Sequence, residues 1–163
     1  MKKKLINYIK DKVYSSDVPF MTDGEYYYYT DGCKLFRTKE KLVDREPTIS
    51  DKIKSFFDDM NDAIRFELPS YEEINSNIKA LCGRKLKGVS VKFTKDTPMI
   101  NARWLKDSMK AMNAKGMYYS PSKGKRSPVV LFEEDDLQSE NILLILPIND
   151  RLNEPGYKDY DYL

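Results

Sequence analysis

The chain has 163 residues, of which 40% are hydrophobic, 33% are charged and 12% are aromatic. This is enough apolar material for one folded domain, and no stretch approaches the roughly 18 consecutive apolar residues of a membrane-spanning helix. The sequence contains no histidine, which excludes Ser-His and Cys-His nucleophiles and zinc sites with histidine ligands.

The N-terminal part of the chain predicts a short amphipathic helix and then a β-hairpin. Apolar residues recur at helical spacing over residues 3–14. The basic start has no apolar run behind it, so we expect no secretory signal, and two cysteines without metal spacing favour a reducing cytoplasm. The hairpin is predicted over residues 25–38, with Asp31-Gly32 at its turn.

The first strand of this hairpin contains four consecutive tyrosines, Tyr26–Tyr29. Alternation along a strand places Tyr26 and Tyr28 on one face and Tyr27 and Tyr29 on the other. Tyrosines on a strand can stack on unpaired bases. Because one of the two faces is expected to be core, the pattern favours a structural role.

The remainder of the chain predicts interspersed helices and strands, which is typical of an α+β domain. Ser70 with Glu73 fits a capping box and Asn101 is a natural N-cap. Helices are predicted over residues 51–63, 71–82 and 102–114. Strands are predicted over residues 64–68, 89–94, 98–100, 117–119, 129–132 and 142–146. We expect one domain over residues 1–152, with 1–63 as a divergent N-terminal part, and a flexible tail over 153–163.

Charge is strongly segregated along the chain. The net charge is +2, yet residues 84–126 carry 12 Lys/Arg against two Asp, and residues 127–163 carry nine acidic residues against two basic ones. A basic segment of this kind is typical of a surface that binds a polyanion. The alternative is that the basic and acidic segments lie side by side and neutralise each other.

Two acidic runs, Glu133–Asp136 and Asp58-Asp59 with Asp62, raise the alternative of a magnesium-dependent nuclease. Such a site needs carboxylates that converge from strand ends. Glu133–Asp136 falls where a hairpin turn is expected, so a solvated turn is the favoured interpretation.

Several motifs together resemble a known family. They are Thr30-Asp31-Gly32-Cys33-Lys34-Leu35, Phe66-Glu67-Leu68-Pro69 before a helix, Asn101-Ala102-Arg103-Trp104-Leu105, Ser127-Pro128-Val129 and Leu146-Pro147-Ile148. In combination they are similar to bacterial DNA polymerase III beta sliding clamps, over roughly residues 20–152. The chain has the length of one clamp domain, and its hairpin precedes both helices, so the order is permuted or divergent.

The resemblance implies a clamp-like α+β fold, with two helices packed on antiparallel sheets, plus the short N-terminal helix. It implies a non-enzymatic, cytoplasmic protein without cofactor or metal that acts in DNA replication or repair, or modulates it, and it suits a phage or mobile element. Clamps encircle duplex DNA and contact phosphates through basic side chains, which need no base readout. The candidate DNA-binding residues are Arg84, Lys85, Lys87, Arg103, Lys106, Lys110, Lys123, Lys125 and Arg126.

Clamps also bind short peptides of replication proteins, and they assemble into rings, which implies a homo-oligomer. The candidate groove residues, carried over by motif, are Thr30, Gly32, Lys34, Leu35, Leu146, Pro147 and Ile148. An apolar groove with a nearby cation suits a weakly acidic peptide. Two alternatives stay open: a single-stranded nucleic-acid binder that uses Tyr26–Tyr29 and residues 84–126, and a metal-dependent nuclease.

Overall fold

The structure, a computed structural model, describes residues 1–82, 88–148 and 157–161. The helices are α1 Lys3–Tyr8, α2 Ser55–Asp58, α3 Tyr71–Cys82 and α4 Ala102–Met112, and α1 continues as a π-helical turn over Ile9–Val13. The strands are β1 Met21–Thr22, β2 Tyr27–Thr30, β3 Lys34–Thr38, β4 Thr48–Ile49, β5 Ile64–Glu67, β6 Gly88–Lys92, β7 Ile100–Asn101, β8 Gly116–Tyr119, β9 Val129–Phe132, β10 Ile142–Ile145 and β11 Tyr157–Asp161.

The strands form two sheets. An eight-stranded sheet has the order β4-β1-β2-β3-β10-β9-β8-β5, and a three-stranded sheet has the order β11-β6-β7. Neighbouring strands are antiparallel except for β1 with β4 and β11 with β6. The α+β class, with helices on a largely antiparallel sheet, is therefore confirmed.

Alternation along the strands gives the large sheet two apolar faces. On the face that packs against α1, α3 and α4, here called the helix face, Tyr29, Phe36 and Leu143 join the larger core. On the opposite face, here called the outer face, Tyr28 and Leu144 belong to a smaller core that also contains Ile53. The smaller core is covered by the chain around residues 53–60, because Phe57 and Met60 pack against it.

Local signals in the sequence fix both ends of α4. The Asn101 side-chain oxygen accepts hydrogen bonds from the backbone N–H of Arg103 (3.0 Å) and Trp104 (3.1 Å), which satisfies two otherwise unpaired donors at the helix start. Asn113 ends the helix in the left-handed conformation, with φ of 50°. Leu105 and Met112 are fully buried in the larger core.

The helix predicted over 51–63 is wrong in its extent, because α2 covers only Ser55–Asp58. Ser50, directly before the predicted helix, donates its backbone N–H to the carbonyl of Thr22 (2.9 Å) and extends the pairing of β4 with β1. Around α2, Ile53, Phe57 and Met60 pack on the outer face from a turn-rich segment. Contact with the sheet, rather than helical periodicity, determines the conformation here.

Within the predicted tail over 153–163, the structure describes one strand, β11, and the domain bounds stay a prediction. Tyr157–Asp161 pairs in parallel with Gly88–Lys92 along five register positions. Pairing with an open strand edge provides partners for backbone groups that a polar tail would otherwise leave to water. Among the helices of the described ranges, none has the length and apolar character needed to cross a membrane.

Candidate functional site

Two residues of the tyrosine run, Tyr28 and Tyr29, lie inside the protein, whereas Tyr26 and Tyr27 are half-buried. Tyr29 is fully buried on the helix face and Tyr28 is fully buried on the outer face, as the alternation predicts. Burial raises the pKa of Tyr29 to about 12, and burial also raises the pKa of Tyr28. Tyr26 is covered by Arg37, whose guanidinium lies 4.3 Å from the ring centroid. Of the four rings that the single-strand alternative would use, two are buried and one of the half-buried ones, Tyr26, is engaged by Arg37.

The three predicted cations of α4 occupy different environments. Lys110 is exposed and Arg103 is half-buried. Lys106 donates to the Asn75 side-chain oxygen on α3 (2.8 Å), and its ammonium lies 3.8 Å from Asp107. Lys106 is thus held between the two helices, whereas in the described ranges no ion pair engages Arg103 or Lys110.

Tyr71, in the first turn of α3, brings two of these cations together. The ammonium of Lys110 lies 4.5 Å from the Tyr71 ring centroid and that of Lys106 lies 5.6 Å from it. Lys110 and Tyr71 also line a cleft of about 420 Å³ between the start of α3 and the end of α4. Tyr71 and Asn75 are not among the site residues predicted from the sequence, and their four-residue spacing on one helix face is the signal that could have indicated them.

The basic loop after β8 is anchored by Asp62. Its carboxylate accepts hydrogen bonds from the Ser120 hydroxyl and from the backbone N–H of Ser122 (3.0 Å). These hydrogen bonds lower the pKa of Asp62 to about 2. Lys125 and Arg126 are exposed at the tip of the loop, and the Lys123 ammonium lies 3.9 Å from the Asp59 carboxylate.

The predicted DNA-binding residues therefore form two groups. Within the described ranges, no hydrogen bond, ion pair or ring contact joins the cations of α4 to those of the loop. Arg84, Lys85 and Lys87 lie outside the described residues.

The hairpin turn and the last strand of the large sheet come together, as the resemblance implies. Leu35 pairs with Leu144, and the backbone N–H of Leu146 donates to the carbonyl of Cys33 (2.9 Å). Gly32 has φ of +86°, a conformation that glycine adopts without strain. Pro147 is half-buried, and the buried Ile148 donates its backbone N–H to the carbonyl of Met99 (2.9 Å).

Lys34 and Leu35, adjacent in the predicted groove, point to opposite faces of the sheet. Lys34 lies on the helix face, where its ammonium is 2.6 Å from the Asp31 carboxylate and 4.9 Å from the Trp104 ring centroid. Leu35 lies on the outer face, with the half-buried Leu146 packed against the same core. The charge of Lys34 is thus used within the fold. The partly accessible members of the predicted set are Thr30, Gly32, Leu146 and Pro147.

The acidic run after β9 caps backbone groups and pairs with nearby polar side chains. Asp135 accepts hydrogen bonds from the backbone N–H of Lys115 (2.9 Å) and Gly116 (3.1 Å), and Glu134 pairs with Lys2. The Lys2 pairing lowers the pKa of Glu134. In the part of the chain that the structure describes, no three acidic or cysteine side chains converge as metal ligands would.

Neither the known family models nor the curated proteins contain a match to this sequence. Among solved structures, the chain is similar to the DNA polymerase III beta subunit of Thermotoga maritima, with 11% identity and a TM-score of 0.44 over 76% of this chain and 41% of that one. It is similar to the Helicobacter pylori beta clamp bound to a DNA ligase peptide (14% identity, TM-score 0.39, 76% and 40% of the two chains). A third similar structure is a putative beta subunit from Eubacterium rectale (15% identity, TM-score 0.41, 79% and 43%). The matched region spans about two-fifths of each of those chains.

Proposed function

We propose that this protein is a non-enzymatic, clamp-like DNA-binding protein that acts in DNA replication or repair, or modulates it. The observation that carries the proposal is the layer formed by α3 and α4, where Lys106 and Lys110 gather around Tyr71 and Arg103 lies on the same helix. Cations fixed on a helix can contact phosphates without reading bases, which is sufficient for binding that is independent of sequence.

The positions of the cations support a division of roles within the proposal. Lys110 and Arg103 contact phosphates directly, whereas Lys106 is retained by Asn75 and positions the helix pair. Lys125 and Arg126 supply a second contact from the anchored loop. Asp107, Glu72 and Glu73 are exposed on the same two helices, so the attraction is moderate and falls steeply as salt screens it.

The test is the affinity for a fluorescein-labelled 20-base-pair duplex, measured by anisotropy at low salt. Arg103→Gln with Lys110→Gln is expected to weaken binding by about tenfold or more, because two phosphate contacts are lost. Lys52→Gln with Lys54→Gln is the matched control: it removes the same charge from the exposed segment before α2 and leaves the affinity unchanged. Equal losses in the two double variants would contradict the proposal.

Two further arms separate the alternatives. A single strand of the same length is expected to bind more weakly than the duplex, because Tyr28 and Tyr29 are buried and Tyr26 packs against Arg37. Stronger binding of the single strand would favour that alternative instead. Magnesium-dependent cleavage of the labelled duplex would establish a nuclease and refute a non-enzymatic role.

A peptide groove at the junction of the hairpin with the end of β10 is the second part of the proposal. Leu146 and Pro147 offer partly exposed apolar surface beside the turn at Gly32. The proposed groove does not use the charge of Lys34, which pairs with Asp31. The DNA ligase peptide that the Helicobacter pylori clamp binds is a suitable probe. Leu146→Asp is expected to abolish its binding, whereas Leu137→Asp, elsewhere on the outer face, preserves it. Binding that survives Leu146→Asp would refute the groove.

Self-association would use the edges of the large sheet. The two edge strands, β4 and β5, each expose an isoleucine: Ile49 is 79% exposed and Ile64 is 47% exposed. An open edge strand with apolar side chains is a template for pairing with another copy. Light scattering should show an oligomer that Ile64→Lys dissociates and that Phe56→Lys, at an exposed site away from the edges, leaves intact. A monomer in the native protein would exclude ring formation.

A further inference from the structure

The outer face of the large sheet contains a cavity that neither the DNA-binding layer nor the peptide groove uses. Its volume is about 360 Å³, and its wall is mostly apolar, with Phe57, Met60, Phe132 and Leu137 among the lining residues. Pockets of roughly 300–1,000 Å³ with apolar walls and a few polar groups are typical of small-ligand sites.

Arg37 supplies the cationic group of this cavity. Its guanidinium lies 4.3 Å from the ring centroid of Tyr26 and 5.3 Å from that of Phe57, so aromatic rings rather than acids surround it. Its Nε atom is buried and has no hydrogen-bond partner. Asp58 also lines the cavity, but no ion pair joins it to Arg37 in the described ranges.

Arg37 as a residue is half-buried, and in the described ranges no ion pair reaches its terminal guanidinium nitrogens. A guest carboxylate that pairs with these nitrogens forms a charge-assisted hydrogen bond, which is one of the stronger kinds. A carboxylate matches the planar fork of arginine and carries a single charge. A phosphate would place more charge against the apolar wall and would be desolvated at greater cost. The guest must also carry an apolar body, because the rest of the wall offers aromatic and aliphatic contacts.

We propose that this cavity binds a small monocarboxylate with an apolar body, such as a medium-chain aliphatic or an aromatic acid. The carboxylate pairs with the Arg37 guanidinium, and the body packs against Phe57, Phe132 and Leu137. Leu137 is 56% exposed at the cavity wall, and a bound acid covers it.

This site is independent of the proposed DNA binding. Arg37 and Ile142 are register partners on the outer face, and α4 packs on the opposite face of the same sheet. A variant that no longer binds the carboxylic acid should therefore keep its affinity for duplex DNA. Failure of one proposal can thus be told apart from failure of the other.

The experiment is calorimetric titration of the full chain with octanoate. Arg37→Met is expected to weaken octanoate binding by about tenfold or more, because a charge-assisted hydrogen bond is lost. Lys39→Met is the matched control: Lys39 lies two residues further along the chain, 5.4 Å from the same Tyr26 ring, and pairs with Glu140 outside the cavity. It should bind octanoate as the native chain does. Octan-1-ol, which lacks the carboxylate, should bind the native chain and Arg37→Met with equal affinity.

Leu137→Asp provides a second test that does not depend on a buried residue. It places a negative charge on the cavity wall at an exposed position, so the fold is retained and octanoate affinity should again fall by about tenfold. In methyl NMR spectra, octanoate should change the chemical shifts of Ile142 and Leu137 and leave that of Met109, on the helix face, unchanged. No binding of millimolar octanoate, or equal affinity in the native chain, Arg37→Met and Leu137→Asp, would overturn the proposal.

Discussion

The ion pair between Lys34 and Asp31 gives a prediction that distinguishes a structural cation from a ligand-binding one. The Lys34 side chain is 6% exposed and that of Asp31 is 25% exposed, with 2.6 Å between ammonium nitrogen and carboxylate oxygen. Asp31 Oδ1 also accepts from the backbone N–H groups of Cys33 (2.8 Å) and Lys34 (2.7 Å). Asp31→Asn can retain an oxygen acceptor for those groups, but it removes the charge and replaces the oxygen that accepts from Lys34 by an NH2 donor.

The two single substitutions should have unequal effects on stability. Asp31→Asn leaves a buried ammonium with only the Trp104 ring for compensation, and breaking such a pair from one side costs about 3 kcal/mol. Lys34→Met leaves Asp31 with two backbone donors and partial access to water, so we expect a loss of about 1 kcal/mol. The double variant should recover most of the loss, because no unpaired buried charge remains.

Urea unfolding followed by circular dichroism measures all four free energies of unfolding in one double-mutant cycle. Near-identical, small losses for both single variants would show that water reaches Lys34. In that case Lys34 would be available to an acidic peptide and the assignment of its charge to the fold would be refuted.

Three further outcomes follow from burial and pKa. Leu105→Ala, at a fully buried position on α4, should lower the free energy of unfolding by about 3 kcal/mol in urea; a loss below about 1 kcal/mol would contradict the packing of α4. Burial raises the pKa of Tyr29 to about 12. The contribution of the neutral Tyr29 to the free energy of unfolding is therefore complete below pH 10 and is lost as the pH rises toward 12. Tyr29→Phe should make this alkaline loss of stability shallower, and an unchanged pH profile would refute the assignment. Hydrogen bonds lower the pKa of Asp62 to about 2, so its contribution is present above about pH 4 and is lost as the pH falls toward 2. Asp62→Asn should make the free energy of unfolding depend less steeply on pH in that range. A pH dependence as steep as that of the native protein would contradict the anchoring of the loop by Asp62.

The elements with strong local signals could be predicted from the sequence. Asp31-Gly32 specifies the hairpin turn, and Asn101 specifies the start of α4 through its side-chain oxygen. Alternation correctly separates Tyr28 from Tyr29, because side-chain direction in a strand depends only on the two-residue period.

The features that failed depend on partners distant in the chain. The helix predicted over 51–63 shortens to α2, since Ser50 pairs with β1 and the apolar residues pack on a sheet formed elsewhere. The environment of Lys34 also depends on a distant residue, because its ammonium, paired with Asp31 three residues earlier, lies 4.9 Å from the ring centroid of Trp104. The cavity beside Arg37 requires four strands and α2 to meet, and no local pattern indicates that.

The proposed use of α4 is tested most directly by the salt dependence of duplex DNA binding. The logarithm of the association constant should fall linearly with the logarithm of salt concentration, with a slope of about −0.9 for each phosphate contact. Arg103→Gln with Lys110→Gln should make the slope shallower by about 1.8, and Lys52→Gln with Lys54→Gln should leave it unchanged. A slope that is the same in all three proteins would show that α4 does not hold DNA and would contradict the account.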